Sequence, residues 1–149
     1  MSDIIFYLHL WAAASWIGGS MLLFVLGITL RDKDAQKSVY YYLGPIYGYF
    51  ETFWLILLWI TGMTMFIHYD FIDVFTYAKG SELYNLMGVK LFMIIAITIF
   101  TALHMVIAFK THNQERSKIE QILSRGSSML IFILNLFILW YAISIRDIL

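Results

Sequence analysis

The sequence predicts an all-α integral membrane protein, a single four-helix bundle over residues 1–149, on three observations. Hydrophobic residues make up 61% of the 149 and charged residues 13%, against roughly 45–50% and about 25% in a soluble domain. Mean hydropathy is +0.77. Four long apolar runs, 4–30, 52–69, 83–109 and 126–145, hold one of the 10 lysines and arginines, Lys90. Each run meets the roughly 18–20 residues that a bilayer-spanning helix needs, which places helices at about 4–30, 47–69, 84–109 and 127–145.

The first run is too long for a signal h-region, has no basic segment before it and ends without a small-residue cleavage site, so it is expected to be retained. Gly44 and Pro45 punctuate the start of the second helix. Between the second and third helices, Phe71, Ile72, Val74, Phe75 and Tyr77 alternate with Asp70 and Asp73. That mixture suits a short segment lying on the bilayer. The stretch before the fourth helix mixes Glu115, Arg116, Lys118 and Glu120 with Ile119, Ile122 and Leu123, the spacing of a helical extension beyond the membrane. Tyr40, Tyr41, Tyr42, Tyr47, Tyr49, Trp54, Tyr69, Trp140 and Tyr141 fall near helix ends, as interfacial aromatic anchors do.

Loop charge sets the orientation. Arg31, Lys33 and Lys37 follow the first helix, and Lys110, Arg116, Lys118 and Arg125 follow the third; the other side holds Lys79 and Arg146. The positive-inside bias therefore puts both termini on the outer, periplasmic side of an inner (cytoplasmic) membrane, crossed several times. Without cysteine there is no disulfide framework, thiolate metal site or covalent haem attachment. Zero net charge and the lack of a long basic run exclude nucleic acid as a partner.

Chemistry concentrates on a few polar groups inside the runs, which are costly there and by default functional or paired. Ala12, Ala13, Trp16, Gly19 and Ser20 share the helical face of His9. Small residues below a histidine leave a flat recess, which admits either a neighbouring helix or a planar macrocycle. Lys90 and His104 are fourteen residues apart, about 40° on the helix face and roughly 21 Å along the axis. By depth, His9, Lys90 and His68 fall in the outer third and His104 in the inner.

Imidazole is a good axial ligand for haem iron, and a lysine nearby can neutralise a propionate or an anionic porphyrin. Imidazole with thioether instead suits copper, and Met65 shares a face with His68 while Met63 does not. His104 is expected either to ligate a second cofactor or to hydrogen-bond Glu51, and Asn135 to bond across helices. His112 falls in the inner loop.

The string His9-x6-Trp16-x-Gly18-Gly19 resembles the first-helix signature of CopD-like membrane domains and of the related HemJ-type protoporphyrinogen oxidases. Val89-Lys90-Leu91 resembles the lysine motif of the same superfamily, Thr61-Gly62 its second-helix glycine, and the distance from Lys90 to His104 its third-helix spacing. The resemblance spans the whole chain on a handful of positions. It implies a four-helix membrane protein that binds haem b, with functional roles for His9 and Lys90. The chain departs from the HemJ-type pattern in running Met21-Leu22-Leu23 after the first motif and in having Gly88 before the lysine, and Trp16-x-Gly18-Gly19 is more CopD-like.

The resulting expectation is a membrane-embedded b-type haem protein, a homodimer with a redox or electron-transfer role and a porphyrin or quinone-type substrate or redox partner. His9 is the first axial ligand, with His68 or His104 as the second; Lys90 pairs with a propionate or an anionic substrate, and Trp16 and Gly19 shape the wall. The alternatives are a copper-handling protein using His9, His68 and Met65, and a structural subunit in which His9, Lys90 and His104 only bond across helices.

Overall fold

The computed structural model describes residues 2–110 and 117–148. Its elements are α1 (Ser2–Thr29), α2 (Lys33–His68), α3 (Phe71–Tyr77), α4 (Glu82–Lys110) and α5 (Lys118–Ile148), and no strand occurs among the described residues. All but α3 contain stretches long and apolar enough to cross a membrane. Apolar side chains ring their outward faces: Phe92 is 72% exposed, Trp140 69% and Tyr7 66%. In water such a surface would aggregate, whereas lipid tails solvate it.

Helix α2 is longer than the sequence suggests. It runs 36 residues, about 54 Å at 1.5 Å per residue, well beyond a hydrocarbon core of roughly 30 Å. Asp32 starts it: its carboxylate accepts from the Asp34 and Ala35 amides at 2.8 and 3.0 Å, satisfying first-turn donors. Pro45 lies inside it. A proline removes only its own amide and strains the carbonyl four residues back, so Gly44 and Pro45 do not end the helix here. The chain leaves α2 through Asp70, whose φ of +53° is a left-handed position that Asp tolerates better than most residues. The short α3 then sits between α2 and α4, its Phe75 ring 6.0 Å from Phe66 and 5.4 Å from Tyr84.

The four long helices pack in the cyclic order α1, α2, α4, α5, so α1 and α4 are diagonal, as are α2 and α5. One end of the bundle carries the start of α1, α3 and the end of α5; the other carries the α1–α2 turn and the start of α5. We refer to these as the terminal end and the loop end. At mid-depth Trp16, Ile97 and Ile131 form the buried centre, with Leu55, Leu58 and Leu134 packed on it. In lipid this centre holds by close contact rather than by exclusion of water. Asn135 Nδ2 donates to Ser20 Oγ at 3.0 Å, joining α5 to α1 as the sequence led one to expect. Trp59 Nε1 donates to Thr98 Oγ1 at 3.0 Å, joining α2 to α4.

Candidate functional site

His9 lies two turns into α1, and α2 meets it with Thr61 and Gly62. The Thr61 hydroxyl sits 2.7 Å from the Leu57 carbonyl and 2.8 Å from His9 Nδ1. A hydroxyl has a single proton, and here it goes to the carbonyl. His9 Nδ1 must therefore donate, which leaves the lone pair on Nε2. Gly62 makes the approach possible: a Cβ at that position would lie 3.2 Å from His9 Cε1 and 3.7 Å from Nδ1.

Lys90, half-buried on α4, comes from the helix diagonal to α1. The structure thus brings His9, Thr61 and Gly62 together toward the terminal end, and Lys90 lies on α4 toward that same end. Thr61 is the residue of this group that side-chain chemistry alone did not single out. Its signal is a hydroxyl immediately before a glycine in an otherwise apolar helix.

The recess below His9 is filled. Ala12 is fully buried and Trp16 is 4% exposed in the core. A Cβ on Gly19 would meet Phe50 Cε1 at 3.0 Å and Tyr47 Cε2 at 3.1 Å. Of the two occupants expected for that recess, a helix or a macrocycle, it is the helix α2 that takes Gly19, through two aromatic rings. Trp16 and Gly19 therefore belong to interhelical packing and not to the wall of an open pocket.

The remaining histidines stand apart. His68, the last residue of α2, is exposed, with its ring 5.3 Å from that of Tyr69. It lies two turns past Thr61, about 10 Å along the axis, so matched depth does not bring it to His9. His104 Nδ1 is hydrogen-bonded to Ser127 Oγ on α5 at 3.2 Å. The expected pair with Glu51 is not made: the Glu51 carboxyl is buried with Oε2 unpartnered. Met65 is half-buried and Met63 exposed, on different sides of α2. Among the described residues no three His, Asp or Glu side chains converge as a metal cage would require. His112 lies outside the described residues.

An imidazole oriented by a hydroxyl and presenting its Nε2 is able to ligate a metal, hydrogen-bond a ligand or carry a proton. No protein-family model, no curated protein and no solved structure matches this chain.

Proposed function

We propose that the chain is an inner-membrane protein with both termini outside that binds haem b through His9 and serves redox chemistry or electron transfer, in the manner its resemblance to CopD-like and HemJ-type proteins implies. The observation that carries this reading is the 2.8 Å bond from His9 Nδ1 to Thr61. Ligating histidines characteristically donate their second nitrogen to a protein acceptor, which sets the tautomer and the ring plane.

The residues present fit the group in their donor chemistry: one neutral imidazole presenting Nε2, and one ammonium that matches a propionate. Bound haem supplies one-electron chemistry. His9 would hold the iron, Thr61 and Gly62 would orient His9, and Lys90 would face a propionate or an anionic substrate. A charge in low dielectric is expensive, so a fixed anion is the physical reason to keep Lys90 cationic. Because α2 and the core fill the face from Ala12 to Gly19, His9 and Lys90, and not that face, would hold the group. His68 and His104 stand apart from His9 along the bundle, so among this chain's histidines His9 is the one that would hold the group there.

The test is to purify the protein in mild detergent, record oxidised and dithionite-reduced visible spectra, and assay pyridine haemochrome and metals on one sample. A b-type spectrum lost in His9→Ala supports the reading, and Lys90→Met should loosen the cofactor without removing its absorbance band. A colourless protein with stoichiometric copper would transfer the site to the copper alternative. Neither cofactor would leave the interhelical bonds as purely structural.

A further inference from the structure

Among the described residues, three side chains in the middle of the bundle have polar atoms buried without a partner: Trp16 Nε1, Glu51 Oε2 and Thr101 Oγ1. Their residues are 4%, 2% and 1% exposed. Glu51 lies one turn toward the loop end from Leu55, and Thr101 one turn toward it from Ile97; Leu55 and Ile97 both pack in the layer that holds Trp16. These atoms therefore occupy adjacent levels on three helices. Glu51 is also the single carboxylate within 38–69, and among the described residues it makes no ion pair. On α1 no charged residue lies between Asp3 and Arg31, on α5 none lies from Gly126 to Ile145, and on α4 the titratable groups are Glu82, Tyr84 and Lys90 toward the terminal end, His104, bonded to Ser127, and Lys110 at the loop end, exposed and 3.7 Å from Glu120.

A buried carboxyl with an unpartnered oxygen contributes nothing to cohesion and is costly in lipid, so it marks a function. Its surroundings indicate which one. Tyr40, Tyr47 and Glu51 are spaced seven and four apart and share one side of α2. Two glycines of α1 make room for the phenols: a Cβ on Gly19 would lie 3.3 Å from the Tyr47 hydroxyl, and one on Gly27 3.8 Å from the Tyr40 hydroxyl. Tyr47 and Glu51, four residues apart, are neighbours on the surface of α2, and both are buried. Phenolic tips thus line the α1–α2 seam from the loop end to the carboxyl.

We propose that Glu51 is a proton-exchange site, a carboxylic acid inside the membrane that equilibrates with water at the loop end along the seam lined by Tyr47 and Tyr40. The step is a bare proton transfer: the Glu51 O–H bond breaks, a water at the loop end takes the proton as hydronium, and the carboxylate remains until the reverse step. No electron moves and no cofactor is required, so the proposal stands or falls apart from the haem reading.

The test is infrared difference spectroscopy of the full chain in lipid nanodiscs, acid minus alkaline, in H2O and D2O. A protonated-carboxyl C=O band should be present, vanish in Glu51→Gln, move in Glu51→Asp and shift to lower frequency on transfer to D2O. Tyr47→Phe should slow that isotope shift while leaving the band in place. A band untouched by both Glu51 variants, or one that keeps its frequency in D2O, would overturn the exchange site. An isotope shift as fast in Tyr47→Phe as in the parent would overturn the seam as its route. Should Glu51→Gln fail to fold, the displaced band of Glu51→Asp carries the assignment, and an undisplaced one overturns it.

Discussion

His9 on α1 gives its Nδ1 proton to Thr61 on α2 across 2.8 Å, while the Thr61 hydroxyl gives its own to the Leu57 carbonyl. The tautomer of a histidine on one helix is thereby set by the backbone of another. Removing the hydroxyl should free the ring. In Thr61→Val we expect haem affinity to fall roughly 10–100-fold, the scale for losing the group that orients a ligand, with the residual spectrum still b-type. His9→Ala should abolish it. Haem titration of the apoprotein followed by absorbance measures both, and unchanged affinity in Thr61→Val would remove Thr61 from the site.

Three glycines separate packing from site geometry. Gly18→Ala meets nothing within 4 Å, so it should leave cofactor content as it is and raise stability by about 0.5–1 kcal/mol, the gain of alanine over glycine inside a helix. Gly62→Ala places a Cβ 3.2 Å from His9 Cε1, so the ring must shift by a few tenths of an ångström, and cofactor affinity should fall while the fold persists. Gly19→Ala meets Phe50 and Tyr47 at 3.0 and 3.1 Å and should destabilise by about 1–3 kcal/mol through overpacking. Thermal denaturation read by circular dichroism, with the absorbance of the same samples, sorts the three.

Asn135 is 2% exposed and donates to Ser20, tying α5 to α1. Interhelical hydrogen bonds in membrane proteins average roughly 0.6 kcal/mol and reach about 1.7. Asn135→Leu should therefore lower stability by an amount in that range, and Ser20→Ala on top of it should cost little more. A double-mutant cycle in mixed detergent micelles reads the coupling, and full additivity would contradict the bond.

The first turn of α5 is closed reciprocally. Glu120 accepts from the Ser117 amide at 2.9 Å and the Ser117 hydroxyl at 3.0 Å, while the Glu120 amide donates to Ser117 Oγ at 3.3 Å. The Ser117 amide bond, more than any other contact, holds the Glu120 carboxyl below its ordinary value of 4.5. A carboxyl lowered on folding adds stability that is fully present above 4.5 and is lost as pH falls through the lower folded value. Amide exchange at the start of α5 should thus accelerate below that pH in the parent. It should be fast and less pH-sensitive in Ser117→Ala, measured by hydrogen exchange with mass spectrometry.

Orientation is open to a clean test because the chain has no cysteine. With both termini outside, single cysteines replacing Asp3, Lys79 and Asp147 should react with a membrane-impermeant maleimide on intact spheroplasts. Cysteines replacing Lys37 and Lys118 should react only after lysis. The reverse pattern would invert the topology drawn from loop charge.

The sequence by itself determined the class, because length and hydropathy are local quantities: four runs without charge each hold enough residues to cross a bilayer, and every backbone group in lipid must be satisfied within the helix. The helical extension before the fourth membrane helix is read from its apolar spacing, whereas the capping box Ser117-x-x-Glu120 that starts it is found only in the structure. Facial spacing alone put His9 with Trp16 and Gly19, and depth put it near Lys90. What spacing could not decide was which helix covers which face. The cyclic order of the bundle set Thr61 and Gly62 against His9, filled the Gly19 recess with Tyr47 and Phe50, turned His104 to Ser127 and left Glu51 buried alone. The physical reason is that lipid tails and apolar helix faces are equivalent surroundings for a hydrophobic side chain. Hydrophobicity therefore says that a helix is in the membrane and is silent on its neighbours, which are chosen by close packing and by the few polar groups that must find each other.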